Sequence, residues 1–169
     1  MEYFQPDNLI SVFEVGMDRS TGNYKKVLPL DGTAFNLGCG NKKLKGCINL
    51  DLPEWDYHYG IPCRNGEAST IHMYHFLEHV DDPVDFLKEC QRCLMIGGTC
   101  NIVVPYATSE LALQDLMHKA RFVETTWKTL MENPYYNPTK FEWRFKVNIN
   151  MIMGLNARNL CLVTQLVKF

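Results

Sequence analysis

A loop with two glycines, followed by a short apolar run that ends in a carboxylate, is the feature that most constrains this fold. The first apolar run, residues 34–37, leads into Gly38 and Gly40, and the second, residues 47–50, ends at Asp51. Glycine at the end of a strand lets the backbone approach a ligand closely, and its N–H group can bind an anion. A carboxylate that closes the next strand can accept hydrogen bonds from ribose hydroxyls. The pattern therefore indicates a ligand with a polar tail and a ribose.

The same loop leaves the pairing of its two flanking strands open. Lys43 stands where the dinucleotide-binding pattern G-x-G-x-x-G has its third glycine, so that pattern is incomplete. The connection, residues 38–46, is shorter than the dozen or so residues that a parallel crossover normally needs. Either the strands are parallel and the connecting helix is reduced to a single turn, or the strands form a hairpin.

The length and composition predict one globular domain. A chain of 169 residues, 46% of them hydrophobic, can form one core, so we expect a single domain over residues 1–169. Within it, residues 1–32 are predicted to form an N-terminal hairpin extension. Two strand-like segments, 10–15 and 24–30, flank the turn-forming residues 18–23.

Charge and cysteine content restrict the classes of function. The net charge of −2 gives no reason to expect binding to nucleic acid, which usually requires a basic surplus. No apolar run is long enough to span a membrane, and the N-terminus does not resemble a signal peptide. The seven cysteines are scattered and odd in number, which favours reduced thiols, and Cys90 and Cys93 fall in a predicted helix where packing explains them. We therefore expect a soluble, cytoplasmic protein with no membrane partner.

The rest of the sequence predicts an α/β sheet with an antiparallel edge. The first predicted elements are a loop over 52–68 with a weak strand at 57–61, a strand at 69–74, and a helix at 82–94 that ends before the glycines at 97 and 98. They are followed by a strand at 101–104, a helix at 110–132 with a potential break at 120–125, and antiparallel strands at 145–153 and 159–169. In such sheets ligands bind at the carboxyl ends of the strands. Gly38, Asp51, His75 and Pro105 all fall at such ends.

A second stretch is rich in side chains that can bind metals. His75, Glu78 and His79 match the zinc pattern H-x-x-E-H. That pattern requires a long helix and a further ligand, whereas here the residues follow a predicted strand and precede Pro83. A strand-to-loop transition with ordinary imidazole hydrogen bonds is therefore favoured over a zinc protease.

Several motifs together resemble a known family. Residues 37–43 and 46–51 resemble the first two motifs of class I S-adenosylmethionine-dependent methyltransferases, and are most similar to the type 11 group. Residues 75–83 resemble that group's h-x-L-E-H segment, and residues 86–105 resemble its R-x-L-x-x-G-G helix and following strand. Residues 115–119 are similar to a D-P-x-H-x element of some relatives. The resemblance implies a trimmed Rossmann-like fold, mostly parallel, with a C-terminal antiparallel hairpin and with helices reduced in the N-terminal half.

The resemblance also implies a cofactor, S-adenosyl-L-methionine, and residues that bind it. The backbone of residues 37–41 would hold the methionine part and Asp51 the ribose. Leu52 would flank the adenine, with residues 61–65 as candidates for the rest of that pocket. The expected cofactor-binding residues are Leu37, Gly38, Cys39, Gly40, Asn41, Asp51, Leu52, His75, Glu78 and His79.

A proton acceptor would assist transfer to a hydroxyl or amine, and histidine suits that role near neutral pH. His75, His118 and Tyr106 are the candidate catalytic residues, although His75 could instead hold its loop and His118 could lie on a helix surface. Glu78 and His79 recur in methyltransferases that bind a divalent metal through an E-x-x-[DE]-H cluster. Here a histidine takes the first position of that cluster, so we expect no metal.

Three functions remain open on this basis. The favoured one is methyl transfer to a small-molecule or glycan-type acceptor. A nucleic-acid methyltransferase is the first alternative, which a basic strip would support; its candidate members are Lys42, Lys43, Lys45, Lys119 and Arg121. The second is a protein that binds the cofactor without catalysis. The oligomeric state does not follow from the sequence.

Overall fold

The computed structural model describes residues 15–17, 24–26, 32–133 and 141–169. The first two segments are an antiparallel pair, β1 (Val15–Met17) and β2 (Tyr24–Lys26). This pair lies within the predicted N-terminal hairpin. The other residues of that prediction up to position 31 lie outside the described part of the chain.

Six further strands form one sheet with the spatial order β4-β3-β5-β6-β8-β7. The first four strands in this order are parallel to one another, and β8 is antiparallel to both β6 and β7. The mostly parallel sheet with a C-terminal antiparallel hairpin is therefore confirmed. The strands are β3 (Thr33–Leu37), β4 (Ile48–Leu50), β5 (Ala68–Tyr74), β6 (Leu94–Pro105), β7 (Phe145–Met153) and β8 (Cys161–Lys168).

Side-chain hydrogen bonds replace the crossover helix between β3 and β4. These strands are parallel, yet residues 38–67 contain no α-helix. Asn36 Nδ2 donates to Asn49 Oδ1 at 2.8 Å, and the same oxygen accepts from the Leu44 N–H at 2.8 Å. Asn49 Nδ2 donates in turn to the carbonyls of Leu44 and Cys47, each at 3.0 Å. These bonds satisfy backbone groups that a helix would otherwise pair.

The first helix, α1 (Pro83–Cys93), begins as predicted but ends earlier. Asp82 caps its N-terminus by accepting from the Asp85 N–H at 2.9 Å. Its C-terminal end differs from the prediction because Leu94 already belongs to β6 and pairs with Ala68. The two glycines at 97 and 98 therefore lie inside β6, next to a shift in the register between β5 and β6.

The long helix predicted over 110–132 is wrong over residues 114–125, a segment that contains the potential break at 120–125. Only α2 (Glu110–Leu113) and α3 (Thr126–Glu132) are helical, and residues 114–125 between them are not. The N–H groups of Lys119 and Ala120 donate to the carbonyl of Glu78 at 2.7 and 3.2 Å. This segment is thus hydrogen-bonded to the loop after β5, and a helix would withdraw those donors into its own turns.

The weak strand predicted at 57–61 is also wrong, because Tyr57–Tyr59 forms a 3₁₀ turn. Asp56 Oδ1 accepts from the His58 N–H at 3.0 Å and caps this turn. None of the helices in the described part of the chain is long and apolar enough to cross a membrane.

All seven cysteines lie within the described residues and are free, as the sequence predicts. Cys90 and Cys93 are buried on α1, and burial raises the pKa of both thiols. A thiol with a raised pKa rarely forms the reactive thiolate. The structure therefore supports a packing role for this pair.

His72 on β5 is held as a neutral imidazole. Its Nδ1 lies 2.8 Å from the Tyr74 hydroxyl and 3.3 Å from the Asn101 amide nitrogen, both of which can donate to it. Burial lowers the pKa of His72 from 6.5 to about 4. Between these two pH values, His72 therefore binds a proton in the unfolded chain but not in the folded chain.

We expect this difference to make the protein less stable in mild acid. As the pH falls from about 6.5 to about 4, His72 should lower the free energy of unfolding by roughly 1–3 kcal/mol. The measurement is urea unfolding at several pH values for the wild type and for His72→Gln. The free energy of unfolding of the variant should lack the decrease that His72 causes as the pH falls. An identical pH dependence in both proteins would contradict the assignment.

Candidate functional site

A cavity of about 500 Å³ opens at the carboxyl ends of β3 and β5. This volume falls within the roughly 300–1,000 Å³ that is typical of small-molecule sites. Three parts of the chain line it: the glycine loop, the segment after β5, and the region from α2 to residue 118. The lining residues are Asn36, Gly38, Cys39, Gly40, Asn41, Lys42, Tyr74, His75, Glu78, His79, Leu111, Gln114, Asp115 and His118.

The two glycines of the glycine loop adopt a backbone conformation that residues other than glycine rarely adopt. Gly38 and Gly40 have φ angles of +64° and +48°, in the left-handed region that favours glycine. A Cβ atom at Gly38 would lie only 2.4 Å from a ring carbon of Phe76. The loop therefore packs closely on the segment after β5 and presents bare backbone to the cavity.

The anion site expected on the N–H groups of this loop is wrong. The N–H groups of Gly38 and Cys39 donate to the carbonyl of Leu50 at 2.9 and 3.3 Å, and the Gly40 N–H donates to Asp51 Oδ2 at 2.5 Å. Because these N–H groups already donate within the protein, what the loop offers a ligand is close contact with its backbone and with its carbonyl oxygens. Carbonyl oxygens suit a cationic group such as an amino group.

Asp51 lies beside the glycine loop at the end of β4. Its Oδ2 accepts from Gly40, and its Oδ1 accepts from the Leu52 N–H at 2.8 Å. Each carboxylate oxygen can accept more than one hydrogen bond, so the group can still bind two hydroxyls. Asp51 and Leu52 are not among the cavity-lining residues, and Leu52 is 68% exposed. Their site therefore lies at the rim.

The segment after β5 begins with a strained residue. His75 has a φ angle of +55°, which is uncommon for any residue other than glycine. Its backbone N–H donates to the Val103 carbonyl at 2.8 Å, which holds it beside β6. Residues Leu77–His79 form a 3₁₀ turn, not the long helix that the zinc-protease pattern needs.

His75 has charged and polar neighbours on both ring nitrogens. Its Nδ1 lies 3.3 Å from Glu78 Oε1, and its Nε2 lies 3.9 Å from the Cys161 sulfur. Burial disfavours the charged ring, but the Cys161 thiol and the Glu78 carboxylate favour it, and together they raise the pKa of His75 to about 9. At neutral pH His75 is therefore an imidazolium in this arrangement.

His118 reaches the cavity from a part of the chain that was predicted to be helical. The ring is 8% exposed and lies 4.7 Å, between centroids, from that of His79. Its Nδ1 lies 3.3 Å from the Ala112 carbonyl, and its Nε2 lies 3.7 Å from Asp115 Oδ2. The alternative that His118 lies on a helix surface is therefore wrong, because residues 114–118 are not helical and turn toward the loop after β5.

The sequence prediction missed six lining residues: Asn36, Lys42, Tyr74, Leu111, Gln114 and Asp115. Those after β6 were missed because the helix predicted over 110–132 gave no reason to expect their side chains at the cavity. The similarity of residues 115–119 to a family element was the one signal that could have found Asp115. Asn36 was missed because a residue in a strand next to a glycine loop is normally interpreted as part of the buried core.

Two sets of predicted site residues lie elsewhere. Tyr106 is not among the lining residues, and its hydroxyl donates to Glu124 at 2.9 Å. The adenine-pocket candidates at 61–65 are hydrogen-bonded to α1 instead. Arg92 donates to the carbonyl of Cys63 at 2.7 Å and to that of Ile61 at 3.2 Å.

The strain at His75 leads to a prediction about stability. His75→Asn and His75→Val both lose the contact between His75 and Glu78, but asparagine tolerates left-handed backbone, so His75→Val should cost about 1–2 kcal/mol more than His75→Asn. Urea unfolding of the two variants measures the difference. Equal stability would show that the backbone at this position is free to relax.

Comparisons with known proteins agree with this architecture. A family described as "Methyltransferase domain" matches residues 18–102, about half of the chain. The sequence has no significant match among curated proteins.

Three solved structures show the same fold at low sequence identity. A chain of the Haloferax volcanii complex between the Trm112 methyltransferase activator and a methyltransferase is 12% identical, with a TM-score of 0.57 over 81% of this chain and 82% of that chain. The N-methyltransferase NodS from Bradyrhizobium japonicum, solved with S-adenosyl-L-homocysteine, is 10% identical, with a TM-score of 0.53 over 96% and 86%. A SAM-dependent methyltransferase from Thermotoga maritima is 18% identical, with a TM-score of 0.51 over 84% of both chains.

The family match and the shared fold agree with the glycine loop and the acid at the end of β4. The residues around the cavity also fit the cofactor, since the space beside the Cβ position of Gly40 is open and Asp51 stands at the rim with acceptor capacity to spare. This chain belongs to the class I S-adenosylmethionine-dependent methyltransferases, and its cofactor is S-adenosyl-L-methionine.

Proposed function

We propose that this protein transfers the methyl group of S-adenosylmethionine to a small-molecule or glycan-type acceptor. The observation that carries the proposal is that one cavity joins the glycine loop to the polar side chains of Tyr74, His75, Gln114 and His118. A donor held along the loop would then face an acceptor bound against those side chains. Holding the two in line is the main task of such an enzyme.

In this proposal the donor site is built from the loop and the rim. The backbone of residues 37–41 and the side chains of Glu78 and His79 border the methionine part, and Asp51 accepts from the ribose hydroxyls while Leu52 covers the adenine. The bound cofactor supplies an activated methyl group on a sulfonium, with its own leaving group. The protein contributes position, orientation and exclusion of water.

The charges around the cavity support a small acceptor over nucleic acid. Lys42 is the one lysine or arginine among the lining residues, and two carboxylates, Glu78 and Asp115, accompany it. Of the other basic candidates, Lys119 forms an ion pair with Asp81. A phosphate backbone would need a basic surface at the mouth of the site.

His118 is the proposed proton acceptor when the acceptor atom carries a proton. His75 lines the same cavity, but its pKa of about 9 keeps it protonated at neutral pH. Tyr106 lies outside the lining and donates to Glu124. This leaves His118 as the candidate that lines the cavity.

Incubation with methyl-labelled S-adenosylmethionine and fractionated cell extract tests the proposal. We expect label in the small-molecule or glycan fraction with the wild type, and little label with Asp51→Ala. Label found only in nucleic acid would overturn the proposed acceptor class. Binding of the cofactor with no labelled product in any fraction would favour a non-catalytic binding protein.

A further inference from the structure

The carboxylate of Glu78 is buried without a hydrogen-bond partner. The residue is 1% exposed, and neither of its oxygens accepts a hydrogen bond from the described part of the chain. His75 approaches Oε1 at 3.3 Å and offsets part of its charge, but the geometry is not that of a hydrogen bond. A buried carboxylate normally binds either hydrogen-bond donors or a cation.

Two imidazoles stand next to this carboxylate. Glu78, His79 and His118 each place one potential ligand atom so that the three atoms lie within 4.8 Å of one another. All three residues line the cavity described above. His118 comes from a different part of the chain, so the pattern of residues 75–79 alone could not reveal this third donor.

The surroundings of His118 favour a tautomer whose unprotonated ring nitrogen lies on the side of Glu78 and His79. If Nδ1–H donates to the Ala112 carbonyl at 3.3 Å, then Nε2 carries the lone pair. A histidine that binds a metal typically donates its other ring N–H to a carbonyl or carboxylate in this way. The Asp115 carboxylate, 3.7 Å from Nε2, adds negative charge at the same place.

We propose that Glu78, His79 and His118 bind a divalent transition-metal ion at the floor of the methyl-transfer cavity. Two imidazole nitrogens and one carboxylate suit Zn²⁺, Mn²⁺, Co²⁺ or Fe²⁺, whereas Mg²⁺ and Ca²⁺ prefer oxygen ligands alone. Three protein ligands leave coordination positions open toward the cavity. Water or an oxygen atom of the acceptor would occupy them.

The site goes beyond the proposed function and changes one part of it. A metal would take the lone pair of His118, and that residue would then no longer serve as the proton acceptor. An acceptor hydroxyl bound to the metal would lose its proton to water more readily than a free one, so no side chain would be needed to accept that proton. The proposal also reverses the sequence-based expectation of no metal, which rested on His75 alone.

Calorimetric titration of the metal alone tests the site without the cofactor. The 169-residue chain is stripped with EDTA and titrated with MnCl₂, ZnCl₂ and, for comparison, MgCl₂. We expect one Mn²⁺ or Zn²⁺ per chain, much weaker binding of Mg²⁺, and at least a tenfold loss of affinity in His118→Gln, with a larger loss in Glu78→Gln. Because no cofactor is present, the result is independent of methyl transfer.

A matched histidine provides the control. His58 lies outside the cluster, is 57% exposed and has two acidic neighbours, Asp56 and Asp81, so His58→Gln should bind the metal as the wild type does. Circular dichroism establishes that each variant is folded, and Mn²⁺ should raise the melting temperature of the wild type but not that of His118→Gln. No binding by the wild type, or unchanged binding by folded His118→Gln, would overturn the proposal.

Discussion

Gly38→Ala is expected to destabilise the fold by about 2–5 kcal/mol, the sum of left-handed strain and overpacking. The new Cβ would lie 2.4 Å from Cδ2 and 2.9 Å from Cβ and Cγ of Phe76, which are not the far end of a flexible chain. The Phe76 ring cannot move aside easily, because it packs on Phe86 and Trp55 with centroid separations of 5.4 and 6.0 Å. Cofactor binding should be lost with the shape of the loop.

Gly46→Ala separates the two contributions. Gly46 also has a left-handed backbone, with φ +82°, but no atom lies within 4 Å of the position of its Cβ. We therefore expect a cost of about 1–2 kcal/mol from backbone strain alone. Urea unfolding of both variants measures the difference. Equal losses would mean that the contact between the glycine loop and Phe76 is not tight.

Asp51→Ala is expected to weaken binding of S-adenosyl-L-homocysteine by about 100-fold. The proposed role of Asp51 is to accept two hydrogen bonds from the ribose, and a bond to a charged acceptor contributes about 1.5–3 kcal/mol. Loss of about 3 kcal/mol in total, the lower end of the range for two such bonds, corresponds to a factor on the order of 100. Isothermal titration calorimetry measures it, with Glu54→Ala as the control for removal of a nearby exposed acid.

Asp51→Asn distinguishes ribose binding from support of the loop. Asp51 also accepts from Gly40, so its loss could act through the shape of the loop. Asparagine keeps one oxygen for a backbone N–H but lacks the charge. Because one of the two backbone N–H groups would face the amide nitrogen, we expect Asp51→Asn to lose some stability in urea but less than Asp51→Ala, with an affinity between those of the wild type and Asp51→Ala. Unchanged affinity in Asp51→Ala would remove Asp51 from the donor site.

The sheet could be predicted from the sequence because each strand is a short apolar run between turn residues. The family resemblance then decided between a parallel pair and a hairpin for the strands around the glycine loop. Position in the chain also placed Gly38, Asp51 and His75 at one edge of the sheet, since parallel strands end on the same side.

Prediction failed where contacts between distant residues determine the structure. Residues 114–125 have helical composition, but the Glu78 carbonyl accepts from Lys119 and Ala120 and draws the chain out of the helix. The segment 61–65 is likewise held on α1 by hydrogen bonds from Arg92, and none of its residues lines the cavity. His118 and Asp115 joined the cavity for the same reason, and no periodicity along the chain could show it.

Titration of the ¹⁵N-labelled protein with S-adenosyl-L-homocysteine, followed by NMR, tests the donor site most directly. The amide signals of residues 38–41 and 75–79 should shift most, and the shifts should saturate at one ligand per chain. A second cavity, beside Tyr57, Gly60 and Asp85, provides the internal comparison and should change little. No saturable shift, or shifts confined to that second cavity, would contradict the assignment of the glycine loop as the donor site.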